Sequence, residues 1–200
     1  LTLLLATLLA APALADWGDH DYTEEREMTL SVAGVDELVI EAGAGTLKVK
    51  GEPGVEAIRV HATILVDGAD GDEAREFMSR RMKLSLERAG DSAVLVSDFQ
   101  NGGMNRGSRS GAIALEVVMP QGMALDVDDG SGSIVLEDTL GDLRLDDGSG
   151  SIVIRGAASV DLDDGSGSIR ISDVTGDVRV DDGSGSVNFS NVLGQVDVRD

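Results

Sequence analysis

From Leu125 to the end of the chain, apolar and polar residues alternate in short runs separated by one recurring turn. Leu143-x-Leu145 precedes a turn and Ile152-x-Ile154 follows it, the period of two that sends successive side chains to opposite faces of a β-strand. The turn, Asp128-Asp129-Gly130-Ser131-Gly132-Ser133-Ile134, recurs from Asp146 to Ile152, from Asp163 to Ile169 and, with valine last, from Asp181 to Val187, at spacings of 18, 17 and 18 residues. Each unit therefore supplies two strands. A third apolar position follows at Leu140, Val174 and Val192, and Gly141-Asp142 or Gly176-Asp177 turns the chain into the next unit. The 17-residue copy carries Ala157-Ala158 instead, so its deletion falls in a turn, where it is best tolerated.

Units this short cannot bury a face alone, whereas stacking places Leu125, Leu143, Val160, Val178 and Val196 in one aliphatic column. The pattern predicts an all-β fold, a parallel β-solenoid (β-helix) of 18-residue rungs. A meander of antiparallel hairpins is the alternative, because Asp-Gly between alternating runs is also a hairpin signal. The residue between the two pre-turn apolar positions separates them. It reads Asp126, Arg144, Asp161, Arg179, Asp197, alternating in sign through successive units. In a parallel stack these side chains lie ~4.8 Å apart and each opposite-charge neighbour is worth about 0.2–1 kcal/mol. In a meander the same strands would not be adjacent, so the alternation favours the parallel arrangement as a structural charge ladder.

An earlier, degenerate copy runs from Leu38 to Gly51 and keeps both turn glycines, so it reads as the first rung or cap. Between it and the array lies a strand–helix–strand excursion: a strand at Ala57–Val66, a helix at about 71–82, and strands near Lys83–Glu87 and Ala93–Ser97. Phe77 and Met78 can face the sheet, and Asp72, Glu73 and the Arg80-Arg81 pair suit the acidic start and basic end of a helix. Gln100 to Gly111, rich in glycine, serine and arginine, reads as a mobile loop. Leu1 to Ala15 is apolar and ends in Ala13-Leu14-Ala15, the small-x-small pattern of a secretory signal peptide whose basic n-region is missing. The organisation is then 1–15 signal peptide, 16–27 flexible mature N-terminus, 28–124 β-rich part with one helix, and 125–200 regular repeats that stop before a glycine turn. Export to the periplasm or the cell surface follows, with no transmembrane span in the mature chain.

Three features together resemble the bacterial putative-adhesin domains of unknown function: the Leu38-x-Ile40-x-x-Gly43-x-Gly45-x-Leu47-x-Val49 strand pair, Val117-Val118-Met119-Pro120-Gln121-Gly122, and the Asp-Gly-Ser-Gly-Ser-Ile turns. The resemblance covers about Glu27 to Asp200. It implies an exported β-solenoid, similar to head domains of predicted autotransporter adhesins, and carries no catalytic residue with it.

Thirty-seven acidic against sixteen basic residues give a net charge of −21, which sets a repulsive field against nucleic acid. There is no cysteine, so disulfides and thiolate chemistry are excluded. The turn aspartates Asp128, Asp129, Asp146, Asp147, Asp163, Asp164, Asp181 and Asp182 form two rows of carboxylates, with neighbours repelling by about 1 kcal/mol even at water-like dielectric. Hydrogen bonds from the following Gly and Ser amides, with solvent screening, are the simplest compensation. Calcium is the sharper one, which makes Asp129, Asp147, Asp164 and Asp182 weak calcium candidates.

No catalytic residue stands out. His20 and His61 read as ordinary exposed histidines, and Ser131 sits in a repeated turn where a nucleophile would not need four copies. Phe189 is the sole aromatic from Leu125 to Asp200 and falls at an inward position, while Trp17 and Tyr22 lie in the N-terminal tail, so no platform for stacking sugars forms. The expectation is a non-enzymatic envelope or surface binding protein with a protein or glycan partner and no cofactor. The alternating Asp/Arg face and the loop carrying Arg106 and Arg109 are its candidate contact surfaces. The alternatives are a polysaccharide-acting enzyme on a β-helix scaffold and a calcium-stabilised repeat protein.

Overall fold

The computed structural model describes residues 20–100 and 109–199. They form an all-β structure with one helix, built as a mixed 14-stranded sheet. The N-terminal part contains β1 (Tyr22–Ser31), β2 (Glu37–Glu52), β3 (Ala57–Asp67), α1 (Gly71–Arg81), β4 (Met82–Ala89), β5 (Ser92–Phe99) and β6 (Ser110–Pro120). The repeats supply β7 (Ala124–Glu137), then the pre-turn strands β8 (Asp142–Asp147), β10 (Ser159–Asp164), β12 (Val178–Asp182) and β14 (Val196–Arg199). Their post-turn strands are β9 (Gly150–Ala157), β11 (Gly167–Val174) and β13 (Gly185–Val192).

Every pairing within the repeats is parallel and in register. The first half of β7 continues through β8, β10, β12 and β14, so Leu125, Leu143, Val160, Val178 and Val196 are successive partners. Its second half continues through β9, β11 and β13, aligning Ile134, Ile152, Ile169 and Val187. The inward side chains of both ladders join one aliphatic core, in which Ile134, Ile152, Ile169 and Val180 are fully buried. Each buried leucine or isoleucine contributes about 1.5–3 kcal/mol, so the core comes from many aliphatic residues rather than a few aromatics.

The degenerate copy is not at the end of the stack. Strand β2 pairs with β7 along both halves, Leu38 opposite Leu125 and Leu47 opposite Ile134. Beyond it, β5 pairs parallel with its first half and β6 with its second. Antiparallel pairs then close that side, β4 on β5 in one ladder and β3 on β6 with β1 outermost in the other. The excursion therefore covers β2, because its own apolar strands need the same core. Antiparallel edges make the sheet mixed instead of uniformly parallel. Within 16–27, expected to be flexible, Tyr22 onward is strand, held by its register with Val66 and its neighbours on β3.

Helix α1 ends at Arg81 and Met82 already belongs to β4. Met78 is buried, and the Phe77 ring stacks on Phe99 at 5.6 Å. Acidic Asp72 and Glu73 in the first turn and basic Arg80 and Arg81 in the last complement the helix dipole. No described helix is long and apolar enough to cross a membrane.

Two turn details differ from the sequence pattern. At the third position Thr139, Ala157 and Val174 are buried and Val192 is partly buried, with Ala157, Val174 and Val192 in register, whereas Leu140 is 48% exposed. Thr139 fits there because its hydroxyl donates to the Gly156 carbonyl at 3.1 Å. Just before it, Asp138, Gly156, Asp173 and Asn191 all take positive φ, between 52° and 78°. Residue types that tolerate the left-handed region occupy this site in every unit.

Candidate functional site

The repeats bring two charge columns to neighbouring positions on the pre-turn strands, one outside and one inside. Outside, Asp126 is opposite Arg144, Arg144 opposite Asp161, Asp161 opposite Arg179 and Arg179 opposite Asp197. Arg179 Nε lies 4.0 Å from Asp161 Oδ1, with both side chains more than half exposed, so this contact gains little beyond setting the register. Two residues further along each strand, the outward column reads Glu41, Asp128, Asp146, Asp163, Asp181 and Arg199. A shallow depression on this face is lined by Arg144, Asp146, Asp161, Asp163, Arg179 and Asp181.

Inside, Asp129, Asp147, Asp164 and Asp182 are successive partners and all are buried, none more than 4% exposed. The reason is strand parity: the alternation that turns Leu143 and Leu145 inward turns Asp147 inward as well. The two rows of turn aspartates are thus unequal. Solvent reaches the first row but cannot screen the second. The Ser149, Ser166 and Ser184 amides donate to Oδ1 of Asp147, Asp164 and Asp182 at 3.2–3.3 Å. Oδ2 of Asp129, Asp147 and Asp164 is buried without a hydrogen-bond partner.

Burial, followed by the Asp147 and Asp128 charges, pushes the Asp129 carboxyl up to about 7. Burial, followed by Asp164, pushes Asp147 up to about 6 against the opposing Ser149 amide. Asp164 is raised for the same first reason, opposed by the Ser166 amide and reinforced by Asp182 and Asp163. The four calcium candidates form a line through the stack, not a shell around one point. Among the described residues there is no group of three or more His, Cys, Asp or Glu able to hold a metal ion.

The other candidates are dispersed. His20 lies half-buried with Nδ1 2.7 Å from Asp67 Oδ1, tying the start of the described chain to β3 in place of the free exposure expected. His61 is on the outer side of β3, opposite Glu116. Arg109 reaches Glu73 on α1 and the Gly68 carbonyl, so it anchors the start of β6 to the helix. Arg106, Trp17 and the expected signal peptide lie outside the described residues. Phe189 faces the core, opposite Ile171, and Ser131 stacks beside Ala44.

No family model and no curated protein matches the chain. Among solved structures it is similar to a putative cell adhesion protein from Clostridium sporogenes at 12% identity and a TM-score of 0.34, over 89% of this chain and 99% of that one. It is similar to a putative adhesin from Bacteroides fragilis at 8% identity and a TM-score of 0.32, over 90% and 100% of the two chains. A putative lipid binding protein from Parabacteroides distasonis follows at 14% identity and a TM-score of 0.31, over 89% and 97%. Likeness at this level leaves function to be read from the chain's own geometry.

Proposed function

We propose that the repeats form a β-solenoid and that the protein is an exported, non-catalytic binding protein of the bacterial envelope or cell surface, contacting its partner through the charged outer face of the pre-turn strands. The observation that carries this reading is the unbroken register of alternating charge, Asp126, Arg144, Asp161, Arg179 and Asp197, on outward positions of five adjacent strands, half-buried at Asp126 and exposed at the other four. Side chains repeating at ~4.8 Å on a rigid face offer many weak contacts at fixed spacing, which suits an extended partner better than a small substrate. The carboxylates of this face stand in a repeated row with no distinct acid–base pair, which supports binding over catalysis.

The test is binding of the purified full-length protein to native envelopes of the producing bacterium. Wild type is expected to bind, and Arg144→Glu/Arg179→Glu to bind at least roughly tenfold more weakly at unchanged circular dichroism. Equal binding by the variant would remove the face from the reading. Reproducible turnover in a glycan-hydrolysis screen, lost on changing one carboxylate, would replace the binding role with an enzymatic one.

A further inference from the structure

We infer that the inward column of Asp129, Asp147 and Asp164 is a proton-binding site, in which carboxyl groups of neighbouring strands share protons instead of each carrying a separate charge.

The geometry is specific. Each member is buried, each lies one strand from the next, and each presents an Oδ2 with no partner. An ionised carboxylate can only accept, so two such groups facing each other leave buried lone pairs unsatisfied and like charges in contact. A proton on one of them converts it into a donor for its neighbour. The oxygen left over by the serine amides is the atom that this bond requires. Asp129 and Asp147 are register partners on adjacent strands.

The surroundings favour a neutral column. The next residue outward on each strand is Asp128, Asp146, Asp163 or Asp181. On β2, Glu41 continues that outer row while Ala42 lies directly beneath Asp129, and Ser97 of β5 beneath Ala42. Asp98 of β5 lies against Gly43 in the β2 turn. The post-turn strands present Ile134, Ile152 and Ile169 inward. The groups that act on the column are thus carboxylates, aliphatic side chains and the opposing turn amides, and its members line up instead of converging on one metal.

The linkage has a definite sign. The folded values, about 7 for Asp129 and about 6 for Asp147, lie above the ~3.9 of an unfolded aspartate, so the folded state binds more protons. The column's contribution to stability is complete below about pH 4 and is lost as pH rises through about 6 and 7. The array tightens in mild acid and loosens in base.

The experiment uses the purified full chain. Infrared spectra should show a protonated-carboxyl carbonyl band at about pH 5.5, where exposed aspartates are ionised, that fades by about pH 8. Wild-type Tm should fall by roughly 5 °C or more from about pH 5 to 8, and Asp129→Asn/Asp147→Asn/Asp164→Asn should lose at least half of that slope together with the band. If the triple variant fails to fold, Asp147→Asn alone should weaken both signals. A wild type with no protonated-carboxyl band, or a variant with the full slope, overturns the inference. Calcium or magnesium that raises the Tm of wild type but not of the asparagine variant overturns it as well, giving the column to a metal.

Discussion

Gly150 lies so close above Gly132 that a Cβ on Gly150 would come within 1.7 Å of the Gly132 carbonyl oxygen. The same approach repeats at Gly167 over Gly150 and at Gly185 over Gly167, at 1.8 and 1.9 Å. Backbone packed on backbone at the turn is what lets one unit sit flush on the last. Gly150→Ala must separate the strands locally and should lose roughly 2–3 kcal/mol in urea unfolding. Gly90→Ala has positive φ but open space around it and should lose only about 1 kcal/mol. Equal losses would show that backbone conformation, not close approach, requires glycine at the turn.

The outer ladder makes an ionic-strength prediction. Arg144→Asp puts three carboxylates in a row at positions 126, 144 and 161 and turns two attractions into repulsions. Stability should drop by about 1–2 kcal/mol at low salt, and most of that drop should vanish near 1 M salt. A loss that ignores salt would assign the effect to the packing of the arginine stem.

Thr139 and Leu140 should respond in opposite ways to what their residue types suggest. Leu140 is exposed at a φ of 54°, so Leu140→Gly should stabilise by about 0.5–1 kcal/mol. Thr139→Val should stay within about 0.5 kcal/mol, since the Gly156 carbonyl still accepts from the Leu140 amide at 3.1 Å. Thermal unfolding of both variants decides.

The left-handed column before Thr139 should reject branched side chains. Asp173 has a φ of 58° and accepts from the Asn191 amide side chain at 2.6 Å. Asp173→Val loses that bond and strains the backbone, and should cost about 2 kcal/mol by urea unfolding, whereas Asp173→Gly should cost under 1.

A linear row of carboxylates without a converging shell predicts indifference to calcium. After chelation, millimolar calcium should leave Tm unchanged at neutral pH; a rise of more than about 3 °C would show a bound ion.

Much of this was legible in the residues. The recurring turn, the period-two runs on each side of it and the sign alternation at Asp126, Arg144, Asp161, Arg179 and Asp197 together select parallel pairing, and the strand registers follow it residue by residue. The burial of Asp147 was legible too, by carrying the parity of Leu143 and Leu145 one step further. It is easily missed because aspartate beside Gly-Ser reads as a solvated turn. The exchange of roles between Thr139 and Leu140 could not be read in this way. It depends on a left-handed residue at position 138 that shifts the alternation by one, and local hydropathy carries no trace of that backbone angle.

Short-range order in this chain is written in its period, because a strand's faces and a glycine turn depend only on neighbouring residues. The place of β2 between the repeats and the excursion, and the antiparallel strands that close one side, depend instead on which apolar edges find one another across the chain. The state of the aspartate column belongs to the same long-range level. A carboxyl departs from its ordinary acidity only when stacking removes water and brings like groups together, and neither condition exists until the units have assembled.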